Sequence, residues 1–134
     1  MKLYRGLKTK EYIDRGVDIE RQFKAGWVKI LEYREAGDLS YPEDLNDTIV
    51  QLFKLQPLTR QYFTDNKLAA ASYAKKEKGI LLELTLPIND ILRYFIIEFQ
   101  NYSKRKDSFE ITYIVRGIDL SRNSKKWKLR LVKF

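Results

Sequence analysis

The stretch Ile80-Leu81-Leu82-Glu83-Leu84-Thr85-Leu86, which lies between Gly79 and Pro87, decides the fold of this chain. It is almost continuously apolar, as strands that are covered on both faces are. A glycine before it and a proline after it are typical strand boundaries. We therefore predict a central strand that is buried on both sides.

Weaker patterns on either side predict further strands. In residues 126–134, lysine or arginine alternates with apolar residues, the period-two pattern of a half-exposed strand. Beta-branched and aromatic residues favour strands elsewhere. The other predicted strands are residues 2–5, 58–64, 94–99 and 109–115, with turns at Asn89-Asp90 and Gly117.

Helical spacing of apolar residues predicts the remaining elements, mostly in the first half of the chain. The alanine-rich helix over residues 67–76 follows a cap at Asp65 or Asn66. The other predicted helices are a short one over residues 9–16, one over residues 18–37 and one from Pro42 to Phe53.

Length and composition agree with one α+β domain over residues 1–134. The chain is 44% hydrophobic, enough to build one core but too short for two. It has neither a secretory signal nor a long apolar run at its N-terminus or elsewhere, which predicts a cytoplasmic protein without a membrane partner.

The residue counts also exclude several chemistries. Because the chain has no cysteine and no histidine, it has no thiolate nucleophile, zinc finger or Ser-His-Asp triad. A net charge of +8 favours polyanionic partners.

Three places deviate from plain core patterning. Arg5 ends a hydrophobic strand and precedes Gly6; its guanidinium presents a fork of donors suited to phosphate oxygens, and the glycine would let a ligand approach the backbone. An ordinary strand-edge arginine, paired or solvated, is the structural alternative.

The second place is the corner Tyr62-Phe63-Thr64-Asp65-Asn66, where an aromatic strand meets a helix that carries Tyr73. Thr64 offers a hydroxyl, and Phe63 or Tyr73 offers a wall for a flat ring. The alternative is a helix cap beside core aromatics. The third place is Glu110, whose carboxylate would stabilise an oxocarbenium-like centre unless it is an ordinary exposed strand residue.

In this order, the three places resemble the motifs of the ADP-ribosyltransferase superfamily. Leu3-Tyr4-Arg5-Gly6 is similar to its first motif, residues 63–74 to its second, and residues 110–117 to its third. The resemblance implies an ADP-ribosyltransferase-like α+β fold of split mixed or antiparallel sheets, with helices packed in the N-terminal half, and NAD as substrate.

The resemblance also implies roles for single residues. Arg5 and Gly6 would bind the diphosphate or ribose of NAD, Thr64 would support the glutamate, and Phe63 or Tyr73 would flank nicotinamide. Glu110 would hold the ribose in the transition state.

The catalytic acid has two possible positions in the sequence. If the third motif is aligned on Arg116-Gly117, the position of the catalytic acid moves from Glu110 to Thr112. The chain would then be a degenerate, non-catalytic member. The two residues share a strand face about 7 Å apart. Family members also often carry an acid or glutamine where this chain has Ser108.

Basic residues predict the acceptor of the transfer. The loop residues Lys104, Arg105 and Lys106 and the tail residues Lys126 and Lys128 are compatible with RNA or DNA, with a protein side chain as the other acceptor. The resemblance extends to toxin or phage-type proteins, for which an antitoxin would be a partner. The alternative function is a non-catalytic α+β module that binds nucleic acid through this basic strand and exposed aromatics.

Overall fold

The strand predicted around residue 82 lies inside a six-stranded antiparallel sheet in the computed structural model, which describes residues 1–8, 21–35, 41–100 and 110–134. The strand order is β4-β5-β2-β1-β3-β6. The strands are β1 (Lys2–Leu7), β2 (Arg60–Thr64), β3 (Ile80–Thr85), β4 (Ile96–Gln100), β5 (Glu110–Arg116) and β6 (Lys128–Val132). The α+β prediction is confirmed.

Within those described ranges the chain forms five helices. They are α1 (Arg21–Glu35), α2 (Asp44–Leu55), α3 (Lys67–Lys76), α4 (Ile88–Tyr94) and α5 (Gly117–Arg122). The predicted bounds of α3 are confirmed at both ends, and Asn66 is its cap, since Ala69 N donates to Asn66 Oδ1 at 3.1 Å. The helix predicted over residues 9–16 lies outside the described residues.

Both faces of β3 are covered, as its apolar sequence predicts. Its first five residues are buried, with Thr85 half-buried. On one face Leu82 and Leu84 join a core with Trp27 of α1 and Phe53 of α2. On the other face α3 packs against β1 and β3. The sheet is therefore sandwiched between helices at its centre.

Two predicted turns are helices in the structure, so the helices are not confined to the first half of the chain. Asn89-Asp90 lies in α4, which follows Pro87, and Gly117 is the first residue of α5. At Gly117 the backbone touches the end of α2: an added Cβ would lie 2.8 Å from the carbonyl oxygen of Phe53. Both helices have seven residues or fewer, too short to show helical periodicity.

The edge strand β6 alternates exposed and buried residues as its sequence predicts. Its Leu131 N–H donates to Asn46 Oδ1 of α2 at 2.9 Å. A side chain therefore satisfies one backbone donor at this edge of the sheet.

Candidate functional site

The sheet is weakly joined between β1 and β2. These strands share one residue pair, Tyr4 with Thr64, whereas β1 pairs with β3 along its full length of six residues. A cleft of about 580 Å³ lies at this junction, beside α3. Its lining residues are Tyr4, Arg5, Gly6, Tyr62, Phe63, Thr64, Ala69, Ala70, Tyr73 and Thr112.

Gly6 sets how closely α3 approaches the sheet. An added Cβ at this position would lie 2.6 Å from the carbonyl oxygen of Ala70 and 2.8 Å from Cδ1 of Tyr73. The sequence predicts that this glycine admits a ligand to the backbone. In the structure it lines the cleft, and the close approach it permits is made by α3.

Arg5 reaches across the junction between the two strands. Its neighbours Leu3 and Leu7 are buried in the core, while Arg5 is half-buried and lines the cleft. Its Nη1 donates to the carbonyl oxygen of Tyr62 at 3.4 Å. This long hydrogen bond spans the place where the strands no longer pair, and it keeps the guanidinium at the cleft.

Thr64 ends β2 with its hydroxyl held by the corner that follows. Asn66 N donates to Thr64 Oγ1 at 3.1 Å. A threonine hydroxyl has one donor and two acceptor positions, so the O–H of Thr64 keeps its proton to donate. Thr64 pairs with Thr112 of β5, which places two hydroxyl side chains side by side at the cleft.

The corner residue Asp65 is occupied elsewhere. The hydroxyl of Tyr113 donates to Asp65 Oδ2 at 3.3 Å. Burial of the ring, and then the nearby Asp65 carboxylate, raise the pKa of Tyr113. Asp65 thus ties β2 to β5, while Asn66 caps α3.

The aromatic residues of the cleft differ in their exposure. Phe63 is 2% exposed and belongs to the core, whereas Tyr73 is 45% exposed. Tyr73 is therefore the predicted ring-flanking residue that is open to a ligand. Tyr4 and Tyr62 also line the cleft, and sequence reasoning did not identify them as site residues.

Tyr4 links the cleft to a charged cluster. It is the cross-strand partner of Glu83, and burial, followed by the charge of Glu83 and a hydrogen bond with it, raises the pKa of Tyr4. The Glu83 side chain is 5% exposed and receives Arg130 Nη2 at 2.7 Å. The charge of this carboxylate is therefore balanced by an ion pair with Arg130.

The two candidate positions for a catalytic acid have different places in β5. Thr112 is buried and lines the cleft. Glu110 is the first residue of β5, where its backbone pairs with Gln100 of β4; its side chain lies outside the described part of the chain. The β5 residue that the described structure places at the cleft is thus the threonine.

Of the predicted nucleic-acid residues, the described Lys126 and Lys128 are not among those that line the cleft. Lys104, Arg105 and Lys106 lie outside the described residues. Lys126 Nζ lies 3.1 Å from Asp90 Oδ2, and the exposed Lys128 begins β6 at the opposite edge of the sheet from β4. The described basic tail is therefore remote from the cleft in strand order.

The described ranges contain no candidate for a metal centre or for a membrane-spanning helix. No group of three or more acidic, histidine or cysteine residues there could hold a metal ion. None of the helices there is long and apolar enough to span a bilayer. Comparison of the chain with protein-family models, curated proteins and solved structures finds no match.

Proposed function

We propose that this protein is an NAD-dependent ADP-ribosyltransferase that binds NAD in the cleft between β1, β2 and α3. The observation that carries the proposal is that one cleft collects the residues of two separate sequence motifs. Arg5 and Gly6 come from the first, and Phe63, Thr64 and Tyr73 from the second.

The lining of the cleft supports a dinucleotide ligand. Arg5 supplies a fork of donors for phosphate oxygens, Thr64 a hydroxyl for a ribose, and Tyr73 an accessible ring for a flat base. The volume of about 580 Å³ lies within the range usual for small-molecule sites. The described strands form one continuous sheet rather than the split sheets that the resemblance implies, and the single residue pair between β1 and β2 is its weakest junction.

The proposed reaction is a substitution at the nicotinamide ribose. The bond from ribose C1′ to the nicotinamide nitrogen breaks, and its electron pair leaves with neutral nicotinamide. A nucleophile of the acceptor bonds to C1′, and its proton passes to solvent water. Glu110 would stabilise the positive charge that develops on the ribose, as carboxylates do in glycosyl transfer.

A second candidate function, NAD binding without turnover, is favoured by Thr112. A hydroxyl donates or accepts a hydrogen bond, but it carries no negative charge to oppose an oxocarbenium ion. If residue 112 is the functional position of β5, the protein binds NAD but does not transfer ADP-ribose.

Two measurements on the same samples test the proposal. Thermal unfolding with and without NAD reports binding, because a ligand at a hundredfold excess over Kd adds about 2.7 kcal/mol to the free energy of unfolding. Nicotinamide release reports turnover. We expect both in the wild-type chain.

Three variants and a control assign the roles. Arg5→Lys keeps the charge but loses the donor fork, so we expect weaker NAD protection. The matched Arg122→Lys, at an exposed residue of α5, should behave as wild type. Glu110→Gln should abolish nicotinamide release and keep protection, and Thr112→Val should keep both. Protection without release in the wild type would favour the second candidate, and absence of protection would exclude both.

A further inference from the structure

Two arginines face each other across neighbouring strands beyond the cleft. Arg60 of β2 and Arg116 of β5 are cross-strand partners, and both are exposed. Like charges directly opposite each other destabilise a sheet. Within the described part of the chain, neither arginine side chain makes a hydrogen bond or an ion pair. Among the described residues, no side-chain hydrogen bond or ion pair offsets the repulsion between the two charges.

An exposed aromatic ring lies between this pair and the cleft. Along β2, exposure alternates so that Arg60 and Tyr62 share the open face, while Gln61 and Phe63 are buried. Tyr62 is 46% exposed, lines the cleft and pairs with the buried Ile114. Along one face of β2, the arginine pair is thus followed by the tyrosine and then by the cleft.

We propose that this face of β2 and β5, which we call the Arg60–Tyr62–Arg116 surface, binds single-stranded nucleic acid and leads it into the cleft. The two guanidinium groups hold a phosphate, and a base stacks on Tyr62. At strand spacing Arg60 stands about 13 Å from Thr64. A nucleic-acid strand anchored at the arginines therefore reaches the cleft within a few nucleotides.

The chemistry of the surface favours this ligand. Guanidinium groups match phosphate oxygens in pairs, and an open aromatic ring accepts any unstacked base. The chain also carries a net charge of +8, which attracts polyanions. The inference that the nucleic acid accepts ADP-ribose rests on the proposed function. The inference that it binds this surface does not.

Fluorescence anisotropy with a labelled single-stranded oligonucleotide of about a dozen nucleotides tests the assignment. The double variant Arg60→Gln, Arg116→Gln should reduce by about 0.7 the slope of log K against log salt, since it removes one phosphate contact and each such contact contributes about 0.7. Tyr62→Leu should weaken binding roughly 5- to 160-fold, the expected loss for one stacked base. Tyr62→Phe should bind as wild type.

A matched double variant separates the surface from net charge. Lys29→Gln, Lys54→Gln removes the same two charges from exposed positions of α1 and α2, the helices on the other face of the sheet, and should leave the salt slope nearly unchanged. Equal loss in both double variants, equal affinity for duplex and single strands, or no binding by the wild-type chain would overturn the proposal. Oligo-dT and oligo-U probes distinguish DNA from RNA. Because the assay contains no NAD, its result is independent of transferase activity.

Discussion

The two halves of the sheet treat charge and coverage in opposite ways. In the half formed by β1, β3 and β6, the buried Glu83 is paired with Arg130 and Lys2, and both faces of β3 are covered. In the half formed by β4, β5 and β2, Arg60 and Arg116 oppose each other without ion partners among the described residues. In the first half these charged side chains are paired and the faces of β3 are covered, which stabilises the fold. In the second half two charged side chains stay exposed and without ion partners in the described part of the chain. The cleft lies between the two halves.

The edge strand of the second half shows the same contrast. Ile96 of β4 is 54% exposed, whereas Leu82 of β3 is fully buried. Since burial of apolar area supplies most of the folding free energy, substitutions in the two halves should differ sharply in cost.

The largest expected effect is therefore the loss of core volume in β3. Leu82→Ala should lower the free energy of unfolding by about 2–5 kcal/mol, because it removes a buried side chain and leaves a cavity. Ile96→Ala should cost less than about 1 kcal/mol. Urea unfolding of both variants measures the difference. Equal costs would show that β4 is covered as thoroughly as β3.

Gly6→Ala tests how the first half is held against α3. The new methyl group would meet the backbone of Ala70, which cannot move without the whole helix. We expect a loss of about 1–3 kcal/mol, as for other overpacked sites. NAD protection should fall as well, because the displaced helix carries Tyr73. A variant of wild-type stability with intact NAD protection would contradict this account of the glycine.

Glu83→Gln tests the paired charges of the first half. Arg130 is half-exposed and regains water when its partner is neutralised, so we expect a loss of about 1.5 kcal/mol, the low end for hydrogen bonds to charged groups. The double variant Glu83→Gln, Arg130→Gln should cost less than the sum of the single variants. Strict additivity in urea unfolding would show that the two residues do not interact.

Sequence reasoning located the elements whose signal is local. The apolar run of β3, the alternation of β6 and the cap and alanines of α3 each lie in one short stretch of chain. It missed α4 and α5, because Asn89-Asp90 and Gly117 are turn signals that these short helices use at their first residues.

The candidate site divides in the same way. Arg5, Gly6, Phe63, Thr64 and Tyr73 were predicted from two motifs, and the structure brings them to one cleft. Tyr62 and the Arg60–Arg116 pair were missed, since their meaning depends on which residues of β5 lie opposite β2. The choice between Glu110 and Thr112 stayed open for the same reason. A change of strand register by two residues keeps a side chain on the same face of the sheet but changes its cross-strand partner.

The smallest expected effect concerns α4, which leads from β3 to β4 and so connects the two halves. Trp127 Nε1 donates to Asp90 Oδ2 at 2.8 Å, and Lys126 lies beside the same carboxylate. The hydrogen bond from Trp127, together with Lys126, lowers the pKa of Asp90. A carboxyl group whose pKa is lowered by folding stabilises the fold above its unfolded pKa of about 3.9, and this contribution is lost as the pH falls through the folded pKa.

Asp90→Asn should therefore be less stable than wild type at neutral pH, and the two should converge under acid. Urea unfolding between neutral and acidic pH measures this, with Asp119→Asn on α5 as the control. A gap between Asp90→Asn and wild type that is independent of pH would show that the carboxylate charge does not hold α4 to Trp127.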